Sequence, residues 1–404
     1  MHDHLNQSVV VLPSYYPMAF HPSFGNFFEE QTRLIKMQGI DVAVVFNETR
    51  SLSTLTFKKF RKIHFQKKFK IENGVPVLRR LNWNLVPTKY RLGQQIWIKN
   101  SIRLVESFIE KNGKPDLFHV HCAISAGSVA KYINYKYQIP YIITEHSSFF
   151  ELSDISDAQK EEVVSIYKNA QKVIVVSKPF RKLLCSKLNL EENLVDVVPN
   201  FIDTDFFDPN LSVVTKSISK ENLIFTVCFH NSNKRLDRLL EAFKIVSETK
   251  KNWTLVIGGN GYETNRLKQI VKEYGLEDKV VFTGMLSKYE VRAYMKASKI
   301  FVLSSDVETF GVVLIEAMAM GLPVVSTASG GPKDIITSDT GVLVERNAES
   351  LANGILFSID NYYTYNKEII RQHVIDNFSA NKVVERYIAI YTEAIANDVG
   401  VYQM

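Results

Sequence analysis

Glu308 and Glu316 are two carboxylates eight positions apart in a segment, residues 304–323, that otherwise turns steadily apolar. The segment opens on Ser304, Ser305 and Asp306, passes Gly311, and enters the run Val312, Val313, Leu314, Ile315. That pattern predicts a helix stopped by Gly321 and Pro323. Glu308 then lies before the helix and Glu316 one turn inside it, so both can face one cavity. The first amides of a helix find no acceptor within it and carry the positive end of its dipole, which suits a diphosphate. A carboxylate beside that end can accept hydrogen bonds from sugar or ribose hydroxyls. Two isolated glutamates would more simply be a cap and a solvated face. Glu316, however, sits among Leu314, Ile315, Ala317 and Met318. A lone carboxylate there is costly unless it is paired or functional.

The elements that must position this segment read as alternating strands and helices. Apolar runs over 9–12, 42–45, 117–120, 141–144 and 173–176 suit parallel strands buried on both faces. Longer patterned segments over 29–38 and 125–137 suit crossover helices. The second half repeats the rhythm, with strands over 223–228, 254–257, 280–282, 300–303 and 323–325 and helices over 236–247, 262–274 and 288–297. The expected fold is therefore α/β, two doubly wound domains over 1–205 and 206–385, with a last helix over 386–404 returning to the first. The hinge is placed in residues 198–220. In such sheets ligands sit outside the carboxyl ends of the strands.

At 404 residues, two domains are the natural division. Hydrophobic residues at 46% and charged residues at 23% are globular proportions. No stretch nears the roughly 20 apolar residues of a membrane span, and the first residues lack a basic region followed by an apolar one. Cys122, Cys185 and Cys228 are scattered, as buried thiols of a reducing compartment would be. A cytoplasmic protein is expected. Residues 1–200 hold 27 Lys+Arg against 18 Asp+Glu, a balance of +9, and the remainder 22 against 25, a balance of −3. The excess is sharpest in Lys58, Lys59, Arg61, Lys62, Lys67, Lys68 and Lys70, which are interleaved with Phe60, Phe65 and Phe69. This composition fits either an interfacial segment on anionic lipid, peripheral at the inner membrane face, or a solvated basic loop. No nucleic-acid motif accompanies it. His119 and His121 are read as pointing to opposite faces of their strand, so no metal site is expected, and His121 is read either as lining the cleft or, more simply, as a packing residue.

The spacing Glu308 to Glu316 resembles the Glu-x7-Glu motif of retaining GT-B glycosyltransferases, and its surroundings resemble glycosyltransferase family 4. The likeness runs through nearly the whole chain: Pro13 to Gly25, Pro115-Asp116 with His119 and His121, Thr144 to His146, Pro199-Asn200 with Asp203, and Gly330-Gly331. It implies a GT-B fold, two Rossmann-like domains facing across a cleft, and transfer of a sugar from a nucleotide diphosphate sugar to an acceptor hydroxyl with retention. The acceptor implied is a glycan or a lipid-linked sugar of cell-envelope synthesis, with no cofactor and no metal.

Residue by residue, the resemblance assigns Glu316 to the ribose and Glu308 to the donor sugar. Thr309, Phe310, Gly311, Val312 and Val313 fall to the diphosphate or sugar, Lys234 to the leaving diphosphate and Met285 to the base. Gly25 lies in the loop over the donor phosphates and His146 near the reacting sugar carbon. Where the family commonly has a second cation, this chain has Phe229, and His230 or Arg235 is a substitute. A non-catalytic sugar-binding protein and a sugar-nucleotide 2-epimerase on the same fold are the rival readings.

Overall fold

The structure is a computed structural model that describes residues 7–18, 25–51, 66–84, 86, 91–153, 155–212 and 222–401. It separates into two compact units. One comprises residues 1–176, 181–198 and the segment from Val383 onward; the other comprises Ser177–Phe180 and Pro199–Lys382. The Ser/Lys-rich stretch 213–220 of the expected hinge lies outside the described residues.

Among the described residues the first unit carries β1 (Ser8–Pro13), β2 (Asp41–Ser51), β3 (Lys67–Glu72), β4 (Val75–Asn84), β5 (Leu117–His121), β6 (Tyr141–Glu145), β7 (Lys172–Val175) and β8 (Val195–Val197). Their order is β3-β4-β2-β1-β5-β6-β7-β8. Every pairing is parallel except that of β3 with β4. β5 and β6 are buried along their whole length, as near-continuous apolar runs require when helices cover both faces. The antiparallel hairpin turns at Asn73-Gly74, both with positive φ (48° and 83°), the backbone that a two-residue hairpin loop demands. It leaves β3 at the sheet edge.

The second unit carries β9 (Leu223–Val227), β10 (Thr254–Gly258), β11 (Val280–Gly284), β12 (Ile300–Leu303), β13 (Val324–Thr327) and β14 (Gly341–Val344). All pair in parallel, in the order β11-β10-β9-β12-β13-β14. That is the dinucleotide-fold order, and it reverses between β9 and β12, the switch point where such sheets bind ligands. The helix Leu236–Thr249 buries Leu236, Leu239, Leu240, Phe243 and Val246 at helical spacing. They pack in one core with Ile224, Ile257, Val302, Leu351 and Ile355.

The helix Ala380–Val401 contributes its larger part to the first unit. Val383, Val384, Tyr387, Tyr391 and Ala394 are buried in a stripe along it. Tyr391 Oη lies 2.8 Å from His119 Nδ1 on β5, and Lys172 of β7 pairs with Glu393 at 3.0 Å. Among the described residues no helix is long and apolar enough to cross a membrane.

Tyr391→Phe removes the hydroxyl and leaves a buried imidazole nitrogen unsatisfied, which costs about 1–3 kcal/mol. The urea midpoint should fall accordingly with the slope unchanged. An unchanged midpoint would show that this contact does not hold the helix.

Candidate functional site

In the second unit the assigned donor residues gather at the carboxyl ends of the strands that flank the switch point. The turn after β9 is a short 3-10 helix, Ser232–Lys234, capped by the Asn231 side chain, which accepts from the Lys234 amide at 3.1 Å. Asn233 binds the loop after β12 through both ends of its carboxamide: Nδ2 donates to Val307 O at 3.0 Å, and Oδ1 accepts from the Val307 amide at 3.1 Å. Lys234 beside it forms an ion pair with Glu308 Oε1, which also accepts from Ser305 Oγ at 2.8 Å. Both side chains are largely buried. Burial pulls the Lys234 ammonium down, but Glu308 more than offsets it, and the amine stays above its ordinary value.

The backbone of Glu308 is fixed as firmly. Its amide donates to Ser329 O at 2.8 Å and its carbonyl accepts from the Gly331 amide at 2.7 Å. Gly331 permits this approach, since a Cβ there would stand 2.3 Å from the Phe310 Cα. Past Phe310 and Gly311 the chain enters the helix Val312–Ala319, in which Leu314, Ile315, Ala317 and Met318 are buried and Glu316 is half-buried. Thr309, Phe310, Gly311, Val312, Val313 and Glu316 are thus one continuous loop and helix opening from Glu308. Met285 follows β11 at the same end of the sheet and is 61% exposed.

Phe229 is 56% exposed, with the Tyr262 ring 6.1 Å away. The two residues offered as substitutes for the missing cation are both engaged. His230 is fully buried, with Nδ1 2.9 Å from Thr264 Oγ1 and Nε2 3.2 Å from Gly258 O. Burial holds it below its ordinary pKa, which disfavours the cationic form. Arg235 donates to Asp237 Oδ1 at 3.0 Å and Asp306 Oδ2 at 3.1 Å, and Arg238 holds the other Asp306 oxygen at 2.5 Å. Lys234 is the cation that faces the motif carboxylate. The chain also contains an Asp-x-Asp, Asp203-Thr204-Asp205, in which Asp203 Oδ1 accepts from the amides of Asp205 and Phe206.

In the first unit, β1 and β5 flank the switch point, and the residues after them meet around His146. Gly25, with φ 79°, caps the helix Asn26–Met37. A Cβ there would meet the Tyr16 Cα at 2.9 Å, so glycine is required by the protein's own backbone. This helix brings Phe27 and Phe28 edge-on to His146, at 5.2 and 5.0 Å. Glu145, fully buried, accepts from the Ala123 amide at 2.9 Å and the Ser147 amide at 3.0 Å. It thereby ties the turn after β5 to the turn after β6. That first turn, Ala123–Gly127, is kinked rather than helical, with positive φ at Cys122 (67°) and Ser125 (73°), so the helix expected from 125 begins at Ser128.

The expectation that His119 and His121 face opposite ways does not hold. Side chains two apart on a strand share a face, and their rings lie 4.3 Å apart. His121 Nδ1 is 3.0 Å from His146 Nε2. Period-2 alternation already carried that signal. Of the basic run, Lys58, Lys59, Arg61 and Lys62 lie outside the described residues, while Lys67, Lys68 and Lys70 lie on β3.

Residues 25–206 match the Glycosyltransferase Family 4 model, and residues 208–373 match the model Glycosyl transferases group 1. An uncharacterized glycosyltransferase of Methanocaldococcus jannaschii is 30% identical over 302 residues, which is 70% of this chain and 76% of that one. The chain belongs to glycosyltransferase family 4. This glycosyltransferase is also 26% identical over 361 residues to a putative teichuronic acid biosynthesis glycosyltransferase of Bacillus subtilis, covering 86% and 88% of the two chains. Its fold is GT-B. HepE from Anabaena, solved with UDP and glucose, superposes with a TM-score of 0.71 at 16% identity, covering 96% of this glycosyltransferase and 99% of HepE.

Proposed function

We propose that this glycosyltransferase transfers a sugar from a nucleotide diphosphate donor to an acceptor hydroxyl with retention, in cell-envelope polysaccharide or glycolipid synthesis. The observation that carries the reading is the Lys234–Glu308 pair at the switch point, directly before the helix Val312–Ala319 and Glu316. Lys234 and the amides of Thr309, Phe310, Gly311, Val312 and Val313 stabilise the departing diphosphate. Glu308 takes the hydroxyls of the donor sugar, Glu316 those of the ribose, and Met285 flanks the base. In the first unit His146 is assigned to the sugar and Gly25 to the phosphates. No side chain is cast as a covalent nucleophile. The leaving diphosphate oxygen takes the acceptor proton on the face where the new bond forms, so positioning and charge do the work. The envelope reading is supported by the teichuronic acid relative, and the nucleotide donor by the UDP and glucose held in HepE.

The acceptor side is proposed to work at an anionic membrane surface. On the edge strand β3, Phe69 and Ile71 are 58% and 72% exposed beside the exposed Lys67 and Lys70. Each cation near an anionic surface contributes about 1 kcal/mol, and exposed apolar side chains add insertion.

A panel of UDP-, GDP- and ADP-sugars, read as release of the nucleoside diphosphate, tests the activity, with retention read by NMR of the product. Glu316→Ala should weaken nucleoside diphosphate binding by about 1.5–3 kcal/mol, and Lys234→Ala should slow turnover on the order of a hundredfold. Equal nucleotide affinity in the first variant, or full turnover in the second, removes that assignment.

EDTA should leave turnover largely intact, because Lys234 and the helix amides supply the positive charge. Complete loss restored by manganese or magnesium would overturn this part of the mechanism.

The protein should sediment with anionic but not neutral vesicles at low salt, and release as salt screens the charges. Glutamine at Lys58, Lys59, Arg61, Lys62, Lys67, Lys68 and Lys70 should abolish it. Vesicle binding that survives those changes excludes this surface.

A further inference from the structure

We infer that His121 is a positioning residue for His146, holding its ring orientation and sharing one proton with its Nε2. The inference rests on the proposed role of His146 at the donor sugar.

The turns on either side of His146 are held by the buried Glu145 carboxylate, through the amides of Ala123 and Ser147. The proposed role of His146 depends on the orientation of its imidazole as well as on its backbone. Phe27 and Phe28 present ring edges and faces to it at 5.2 and 5.0 Å, which limits where the ring can lie but cannot tell one nitrogen from the other. His121 can. Its Nδ1 stands 3.0 Å from His146 Nε2, so one nitrogen must donate and the other accept. The pair then holds one proton between those two atoms, and whichever of the two carries it dictates the state of His146 Nδ1 as well.

His121 is itself braced. It stacks on Phe28 at 4.7 Å and lies 4.3 Å from the His119 ring. His119 is fixed at both nitrogens, Nδ1 against Tyr391 Oη and Nε2 against Thr144 Oγ1, each at 2.8 Å. A line of buried rings thus runs from the helix Ala380–Val401 through β5 to His146. Burial lowers the His121 pKa to about 3, so its imidazole is neutral near pH 7 and can serve as either donor or acceptor. A doubly protonated His121 could only donate. Packing alone would be served as well by phenylalanine at position 121; the imidazole adds the bond to Nε2.

The test uses the full chain and nucleoside diphosphate release from the sugar nucleotide that the panel turns over. His121→Phe keeps the stack on Phe28 and removes the bond. kcat should fall about 10- to 100-fold, as small misplacements of a reacting group do, with KM for the donor within about twofold. His121→Gln, which can bond Nε2, should recover part of the loss. In His121→Phe/His146→Ala the rate should be no lower than in His146→Ala alone, because residues that act as a unit are not additive. The ¹⁵N spectrum of the wild type should show a scalar coupling across the bond between His121 Nδ1 and His146 Nε2, and the His146 Nε2 shift should move in His121→Phe. Wild-type kcat in His121→Phe with a slow His146→Ala, or strictly additive losses, overturns this inference alone. Wild-type kcat in His146→Ala overturns the reading of His146 on which it rests. If His121→Phe does not fold, the wild-type coupling across that bond decides: its presence supports the inference and its absence refutes it.

Discussion

A parallel sheet that reverses its winding leaves a gap between the two strands at the reversal, and whatever fills that gap must satisfy its own polar groups. In the second unit the gap lies between β9 and β12, and it is closed by a short set of hydrogen bonds from one loop to the other. Asn233 grips both polar groups of Val307, Lys234 pairs with Glu308, Ser304 Oγ donates to the Lys234 carbonyl at 2.8 Å, and Arg235 and Arg238 share Asp306. Loops that bear such bonds cannot drift independently. The motif carboxylate therefore stands where two strand ends, a glycine approach and a helix start all agree, which is the preorganisation that charge stabilisation needs.

Much of this was legible in the amino-acid sequence because burial on both faces of a strand leaves a simple trace. Val9, Val10 and Val11, or Ile300, Phe301 and Val302, have few ways to be satisfied except as central strands. Glu316 stood out for the converse reason, as a charge set among apolar neighbours. The hairpin of β3 and β4 escaped notice even though Asn73-Gly74 is a strong turn signal, because the lysines around it read first as a charge run. Apart from the local pair of Arg235 with Asp237, the engagement of His230 and Arg235 could not be read from spacing. Their partners, Thr264, Gly258 and Asp306, are brought to them by crossover connections, and spacing along the chain does not reveal such neighbours. His119 and His121 were misplaced by a slip of period, since residues i and i+2 of a strand share a face.

Phe229 shows how a family pattern can change at one position while the frame around it stays. An aromatic side chain stands where a cation is common, exposed and edge-on to Tyr262, and the two residues next in line for the charge, His230 and Arg235, are held by other partners. The positive charge at this end of the sheet is correspondingly concentrated on Lys234 and on the backbone dipoles of the helix Val312–Ala319.

The first unit is discontinuous, and that has a consequence for the order in which the molecule can be made. His119 and the hydroxyl that satisfies it are separated by 272 positions. At about 5–20 residues per second, a ribosome needs roughly a quarter of a minute to a minute to cover that distance. Throughout that interval β5 and its histidines have been synthesised while Tyr387 and Tyr391 have not. The second unit, from Pro199 to Lys382, has nearly all its chain available sooner relative to its own beginning. The domain begun first is therefore the one completed last, and the nascent chain must keep the uncovered face of β5 from other partners until the helix Ala380–Val401 arrives.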